Sequence, residues 1–210
     1  MPVVALIVYV ASWKSIRKKE LDMLVYIIFN VLLFSIADIL SFNGIHNMPF
    51  FHLNSLFEAW FLSYYIIKKI TGKKFSGTFW ITGAVYTCFF IINVLFLEDI
   101  EVFNSNSAGV SSLLILFLSM YYLLSLSKSN EILYFQRLPS FWIVSGMLIY
   151  NAVSVLVLLS YKYFSYENMN HYADNIWFVL SAAIIVKFAL ISIGLLCHRK
   201  QQATHLPFLL

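Results

Sequence analysis

Seven apolar runs separated by short polar breaks organise the chain, over about residues 2–13, 21–42, 51–67, 79–97, 108–126, 141–161 and 176–197. Most approach the roughly 20 residues that a helix needs to cross the hydrocarbon core of a bilayer. Within lipid a helix satisfies its own backbone hydrogen bonds, which an isolated strand cannot do, so each run predicts a membrane helix. The breaks are rich in turn formers: NGIHNMPF after the second run, KKITGKK after the third, NSNS after the fourth and SKSNEILYFQRLPS after the fifth. The tyrosine-rich stretch YKYFSYENMNHYADN predicts a loop after the sixth run, placed to cover the outer mouth of the bundle. Pro2, Pro49, Pro139 and Pro207 all sit at run ends or in linkers, so no predicted helix is interrupted. Pro139 suits the first turn of the sixth helix. The first run is short, and its positive charges follow the apolar residues rather than precede them, which predicts a retained short helix over a cleaved leader.

Composition agrees with this pattern. Of 210 residues, 61% are hydrophobic and only 11% charged, against about 25% charged in ordinary soluble domains. A water-soluble fold of this length has no room to hide so much apolar surface. The formal charge of +4 is gathered in short clusters between runs rather than on one face of a soluble module, which excludes nucleic acid as a partner.

The placement of those clusters predicts orientation. Lys14, Arg17, Lys18, Lys19, Lys68, Lys69, Lys73, Lys74, Lys128, Arg137, Arg199 and Lys200 all fall on one side of a seven-helix arrangement, and Lys162 alone falls in a loop on the other. Basic residues concentrate on the cytoplasmic side. The expected protein is therefore an all-alpha integral membrane protein, a seven-transmembrane helix bundle in the inner (cytoplasmic) membrane. Its amino terminus lies outside and its carboxyl terminus in the cytoplasm. Residues 1–200 form the single transmembrane domain and 201–210 a short cytoplasmic tail.

Three ionisable side chains fall inside predicted helices: Asp38, Glu58 and Lys187. Charges at such depth are costly and turn inward to find partners. Counting from the helix ends puts Glu58 and Lys187 near the membrane centre, which predicts that they pair, with Asp38 toward the outer side. Uncharged polar groups share the layer: Asn30, Asn54, Tyr65, Tyr150, Asn151, Ser154 and Ser181. Asn54, Glu58 and Tyr65 repeat at helical spacing on one face. The layer predicts a polar network among helices two, three, six and seven, read either as a ligand, ion or proton site or as packing that fixes helix register. Gly194 and Ala183, at helical spacing from Lys187, predict close helix packing.

Catalytic and metal chemistry find no comparable footing. No nucleophile–base pair or converging ligand set stands out. His46, His52 and His171 lie near the outer rim without ligand spacing, and Cys88 and Cys197 lie at different depths. Trp13, Trp80, Trp142 and Trp177 fall near run ends, as interfacial belts do, whereas Trp60 does not.

The stretches LNSLFEAWFLSYY, containing Asn54 and Glu58, and PSFWIVSGMLIYNA, containing Tyr150, lie within a layout that resembles small bacterial seven-helix multi-pass membrane proteins, some of them similar to the input regions of sensory proteins. The resemblance spans helices two to seven and implies a receptor-like or sensory role, signalling through a cytoplasmic or membrane protein partner. The layout is also similar to microbial rhodopsins, in which a lysine of helix seven holds retinal; Lys187 and Glu58 match that pair. However, the family's aspartate one turn before the lysine falls at Ala183, and FWIVSGMLIYNAVS lacks the helix-six proline. No cofactor is therefore expected. Sugar transporters built from three, one and three helices are similar in size and orientation, but their proline–glutamine motifs have no counterpart. The leading expectation is a receptor-like protein binding a small molecule between helices and contacting membrane lipid. Transport of a small solute, proton or ion through the same layer, or a structural role, are the alternatives.

Overall fold

The structure is a computed structural model that describes residues 2–13, 20–72, 76–128, 137–166 and 170–205. Seven helices account for nearly all of them: α1 (Pro2–Ala11), α2 (Leu21–Phe42), α3 (Met48–Thr71), α4 (Gly77–Phe96), α5 (Ser105–Ser127), α6 (Pro139–Tyr166) and α7 (Asn170–His205). Five are long and apolar enough to cross a membrane, namely α2, α4, α5, α6 and α7. The ten residues of α1 reach about 15 Å at roughly 1.5 Å per residue, half the hydrocarbon thickness. α3 has the length, yet His52, Asn54 and Glu58 make it too polar to stand beside the other five.

The molecule is inside out relative to a soluble protein. Leu32, Ile81, Val85, Leu95, Phe117, Leu156 and Phe178 all point outward, while Asn30, Glu58, Ser112, Ser119, Asn151 and Lys187 are buried. Water would reverse both sets; lipid outside and polar contacts between helices inside explain them. The chain is a helical membrane protein.

Neighbouring helices run α1, α2, α3, α5, α6, α7 and back to α1, with α4 against the outside of α3 and α5. Small residues set the closest approaches. A Cβ on Gly83 of α4 would stand 2.5 Å from the Trp60 ring of α3, whose Nε1 donates to Thr87 Oγ1 at 2.9 Å. On α6 and α7, Gly146 lies under the Lys187 carbonyl and Gly194 under that of Pro139, each too near for a side chain. Gly194 thus meets its expected packing role.

The helix limits depart most from expectation at the α6–α7 connection and at the end of α7. The stretch 161–175, expected as a loop, is helical up to Tyr166 and again from Asn170. It contains no proline or glycine to stop a helix, and α6 and α7 form the most extensive pairing in the fold. α7 also continues to His205, into the expected tail. Its 36 residues span roughly 54 Å, more than the roughly 30 Å hydrocarbon core, so its ends project beyond the apolar section. Lys14, Arg17, Lys18, Lys19, Lys73, Lys74 and residues 206–210 lie outside the described residues.

The two ends of the bundle are built differently. At the end where α2 begins and α3 closes, Lys69 pairs with Glu20 at 2.7 Å and Lys68 pairs with Asp22. Gly72 caps α3 there in the left-handed conformation, φ +68°. Inward from these pairs lies a closed apolar core including Met23, Ile27, Leu62, Ile66, Ile143, Met147, Ile191 and Leu195. At the opposite end the α4–α5 connection is tied down by side chains. Glu98 accepts from the Asn106 backbone N–H at 3.1 Å and from Ser105 Oγ at 2.8 Å, a carboxylate at the positive end of α5. Asn104 Nδ2 donates to the Phe51 carbonyl at 2.8 Å and to Ser55 Oγ at 2.5 Å, and His52 Nε2 lies 3.0 Å from the Val102 carbonyl. This connection forms one wall of the site.

Candidate functional site

The boundary between the closed half and the tied-down half holds a charged centre. α3 supplies Glu58 and α7 supplies Lys187, with Nζ 2.8 Å from Glu58 Oε1. Tyr26 of α2 donates its hydroxyl to the same oxygen at 2.6 Å. Lys187 is 2% exposed, and its ammonium stands 3.7 Å from the centre of the Tyr150 ring of α6, a cation–π arrangement. Four helices thus converge on one carboxylate and one ammonium. The Tyr26 ring is stacked against Phe57, Phe61 and Phe188, which excludes water from this side and strengthens every charge interaction in it.

On the other side of Glu58 lies a cavity of about 580 Å³. Its wall is drawn from α1, α2, α3, α5, α6, α7 and the α4–α5 connection, and Glu58 closes its inner end. Asp38, Asn54, Ser55, Ser111 and Ser181 add polar atoms; Val31, Phe34, Leu158, Leu180 and Ile184 make most of the rest apolar. At the outer end Phe103 and Trp177 meet edge to face, 5.0 Å between ring centres. A volume of this size suits a small organic ligand, for which pockets run from about 300 to 1,000 Å³.

The residues singled out from the sequence divide into three groups. Glu58, Lys187 and Tyr150 come together as one cluster. Asp38, Asn54 and Ser181 line the cavity with Glu58; Asp38 and Ser181 are exposed rather than buried. Asn30 and Asn151 are buried, but each donates its amide to its own helix, to the carbonyls of Tyr26 at 2.9 Å and Met147 at 2.7 Å. Ser154 is buried one turn beyond Tyr150 on α6. Tyr65 does not join the centre. It lies two turns from Glu58, roughly 10 Å along the helix, under the Lys69 ammonium at 5.1 Å. The sevenfold spacing gave it the right face and the wrong depth.

Sequence reasoning missed Tyr26, the second donor to Glu58. Its signal was the four-residue spacing to Asn30, hidden among 13 tyrosines. It also missed Phe34, Phe51, Phe103 and Asn104, whose roles depend on how the helices rotate and where a connection folds back. Comparison of the chain with protein-family models, with curated proteins and with solved structures found no match.

Proposed function

We propose that this is a receptor-like or sensory protein of the cytoplasmic membrane that crosses it seven times, amino terminus outside, and binds a small molecule in the cavity above Glu58. The observation that carries the reading is the position of Glu58, at once a wall of the cavity and the acceptor for both Lys187 and Tyr26. A ligand that touches Glu58 alters contacts binding α2, α3 and α7 together, and so links the outer cavity to the basic end of the bundle. With the amino terminus outside, the ion-paired end carrying Lys68 and Lys69 faces the cytoplasm. The large apolar side chains packed on that side, Met23, Ile27, Leu62 and Ile66 among them, favour a receptor over a transporter. The signal then passes to a membrane or cytoplasmic protein partner through helix ends rather than through a transported solute.

Native mass spectrometry of the protein extracted from its own membrane tests the reading. A reproducible bound mass is expected, displaced when Ser181→Trp fills the cavity. A bound mass indifferent to that substitution, or no bound mass, counts against it. A solute flux in proteoliposomes abolished by Glu58→Gln would instead establish transport.

A further inference from the structure

The chemistry lining the cavity is one-sided. Among the described residues its ionisable side chains are Asp38 and Glu58, both acidic, and no lysine, arginine or histidine joins them. Glu58 is already matched by Lys187 behind it, whereas Asp38 has no ion-pair partner among the described residues. Among the described residues the lining therefore carries about one uncompensated negative charge.

The lining also holds hydrogen-bond acceptors. Asn54 Oδ1 is buried and accepts no hydrogen bond. Both donors to Glu58 use Oε1, leaving Oε2 as a further acceptor. Asp38, Asn54 and Glu58 thus offer acceptors from two adjacent helices, and Phe34, Phe51, Phe103 and Trp177 add aromatic faces that attract cations. An anion would meet repulsion from Asp38, and a neutral apolar molecule would leave the Asn54 acceptor unsatisfied, at a cost.

We infer that the ligand is a monovalent organic ammonium: one protonated amine on an aryl or alkyl body, its N–H groups directed at Asp38 and Asn54. This rests on the cavity being the binding site. A monocation balances Asp38 and leaves the Glu58–Lys187 pair intact; a dication would have to compete with Lys187 for Glu58.

The test compares three probes of equal size on the full chain in detergent: 4-phenylbutylammonium, 4-phenylbutan-1-ol and 4-phenylbutanoate, titrated calorimetrically. The ammonium is expected to bind at least about tenfold more tightly than the alcohol, the strength of one charge-assisted hydrogen bond, and the carboxylate more weakly than either. Asp38→Asn, at an exposed position, should erase about tenfold of the ammonium's advantage over the alcohol, a ratio that also cancels partitioning of the probes into micelles. Asn54→Leu should weaken the ammonium by a smaller factor. Equal binding of ammonium and alcohol, or an advantage that survives Asp38→Asn, overturns the ammonium assignment and leaves the cavity reading standing, provided Ser181→Trp blocks both probes. Ammonium binding that persists in Ser181→Trp overturns both. If none of the probes binds, the ammonium assignment falls, and the bound-mass experiment alone decides the cavity reading.

Discussion

Replacing Lys187 with methionine keeps most of the side chain's apolar volume and deletes its charge. The two closest interactions disappear: the 2.8 Å hydrogen bond to Glu58 and the approach to the Tyr150 ring at 3.7 Å. The first is charge-assisted, about 1.5–3 kcal/mol, and the second contributes about 0.5–2 kcal/mol. What stays behind matters as much. Glu58 becomes a buried carboxylate held by Tyr26 alone, and breaking a buried ion pair in this way costs about 3–5 kcal/mol. Neutral polar contacts between membrane helices contribute about 0.6 kcal/mol on average and up to about 1.7 kcal/mol. The variant therefore distinguishes a true ion pair from an ordinary interhelical hydrogen bond, and a loss of about 3 kcal/mol is expected. In Lys187→Met combined with Glu58→Gln no charge is stranded, and the amide oxygen still accepts from Tyr26. The double variant should regain about 2 kcal/mol, the coupling expected of residues in direct contact. Unfolding in mixed micelles titrated with dodecyl sulfate, followed by tryptophan fluorescence, gives the four free energies of the cycle. A single variant within about 0.5 kcal/mol of wild type, or a double variant no more stable than Lys187→Met, would refute the reasoning.

The same unfolding assay checks two neighbouring expectations. Tyr26→Phe keeps the ring stack and removes one donor from Glu58, which should cost about 1–3 kcal/mol; an unchanged transition would show that the hydroxyl bond is dispensable. Gly83→Ala pushes a Cβ into the Trp60 ring and should cost about 1–3 kcal/mol. Gly109→Ala, with open space around its Cβ, should stabilise α5 by up to about 1 kcal/mol, so equal effects at the two glycines would contradict the packing account. Topology is read by cysteine labelling in a background with Cys88 and Cys197 replaced by serine. Val102→Cys should react with an impermeant maleimide on intact cells and Ser127→Cys only after permeabilisation; the reverse pattern would invert the proposed orientation.

The charged centre was legible in the sequence because its background is so apolar. Glu58 and Lys187 are 129 positions apart, yet a charge at mid-helix in such runs has few ways to be accommodated except by another, and depth counting was enough to join them. Depth counting fails where side-chain direction decides. Tyr65 shares a face with Glu58 but sits beside Lys69 and Glu20, and Ser181 reaches the cavity without approaching Lys187. The helical continuation through 161–166 and 170–175 was obscured by polarity. Polar residues suggested a loop, although nothing in the stretch breaks a helix, and once α6 and α7 extend past the apolar layer polar residues belong there. The position of α4 outside the ring had no sequence signal, since its apolar character resembles that of helices inside the ring.

The polar layer also holds buried groups that the helices do not match. A network selected to fix helix register would be expected to match donors with acceptors, because each buried group left unmatched is destabilising. Here Asn30 and Asn151 use their amide donors on their own helices, and their carbonyl oxygens accept nothing from the protein; Asn54 Oδ1 is in the same condition. Among the described residues the unmatched atoms of the layer are these three amide oxygens and the Ser154 hydroxyl, close to one lysine and one glutamate. Asn30 and Asn151 lie outside the cavity lining and bond to their own helices, so they serve the packing of the bundle, whereas Asp38 and Glu58 border the cavity and are the groups that the proposed ligand would meet.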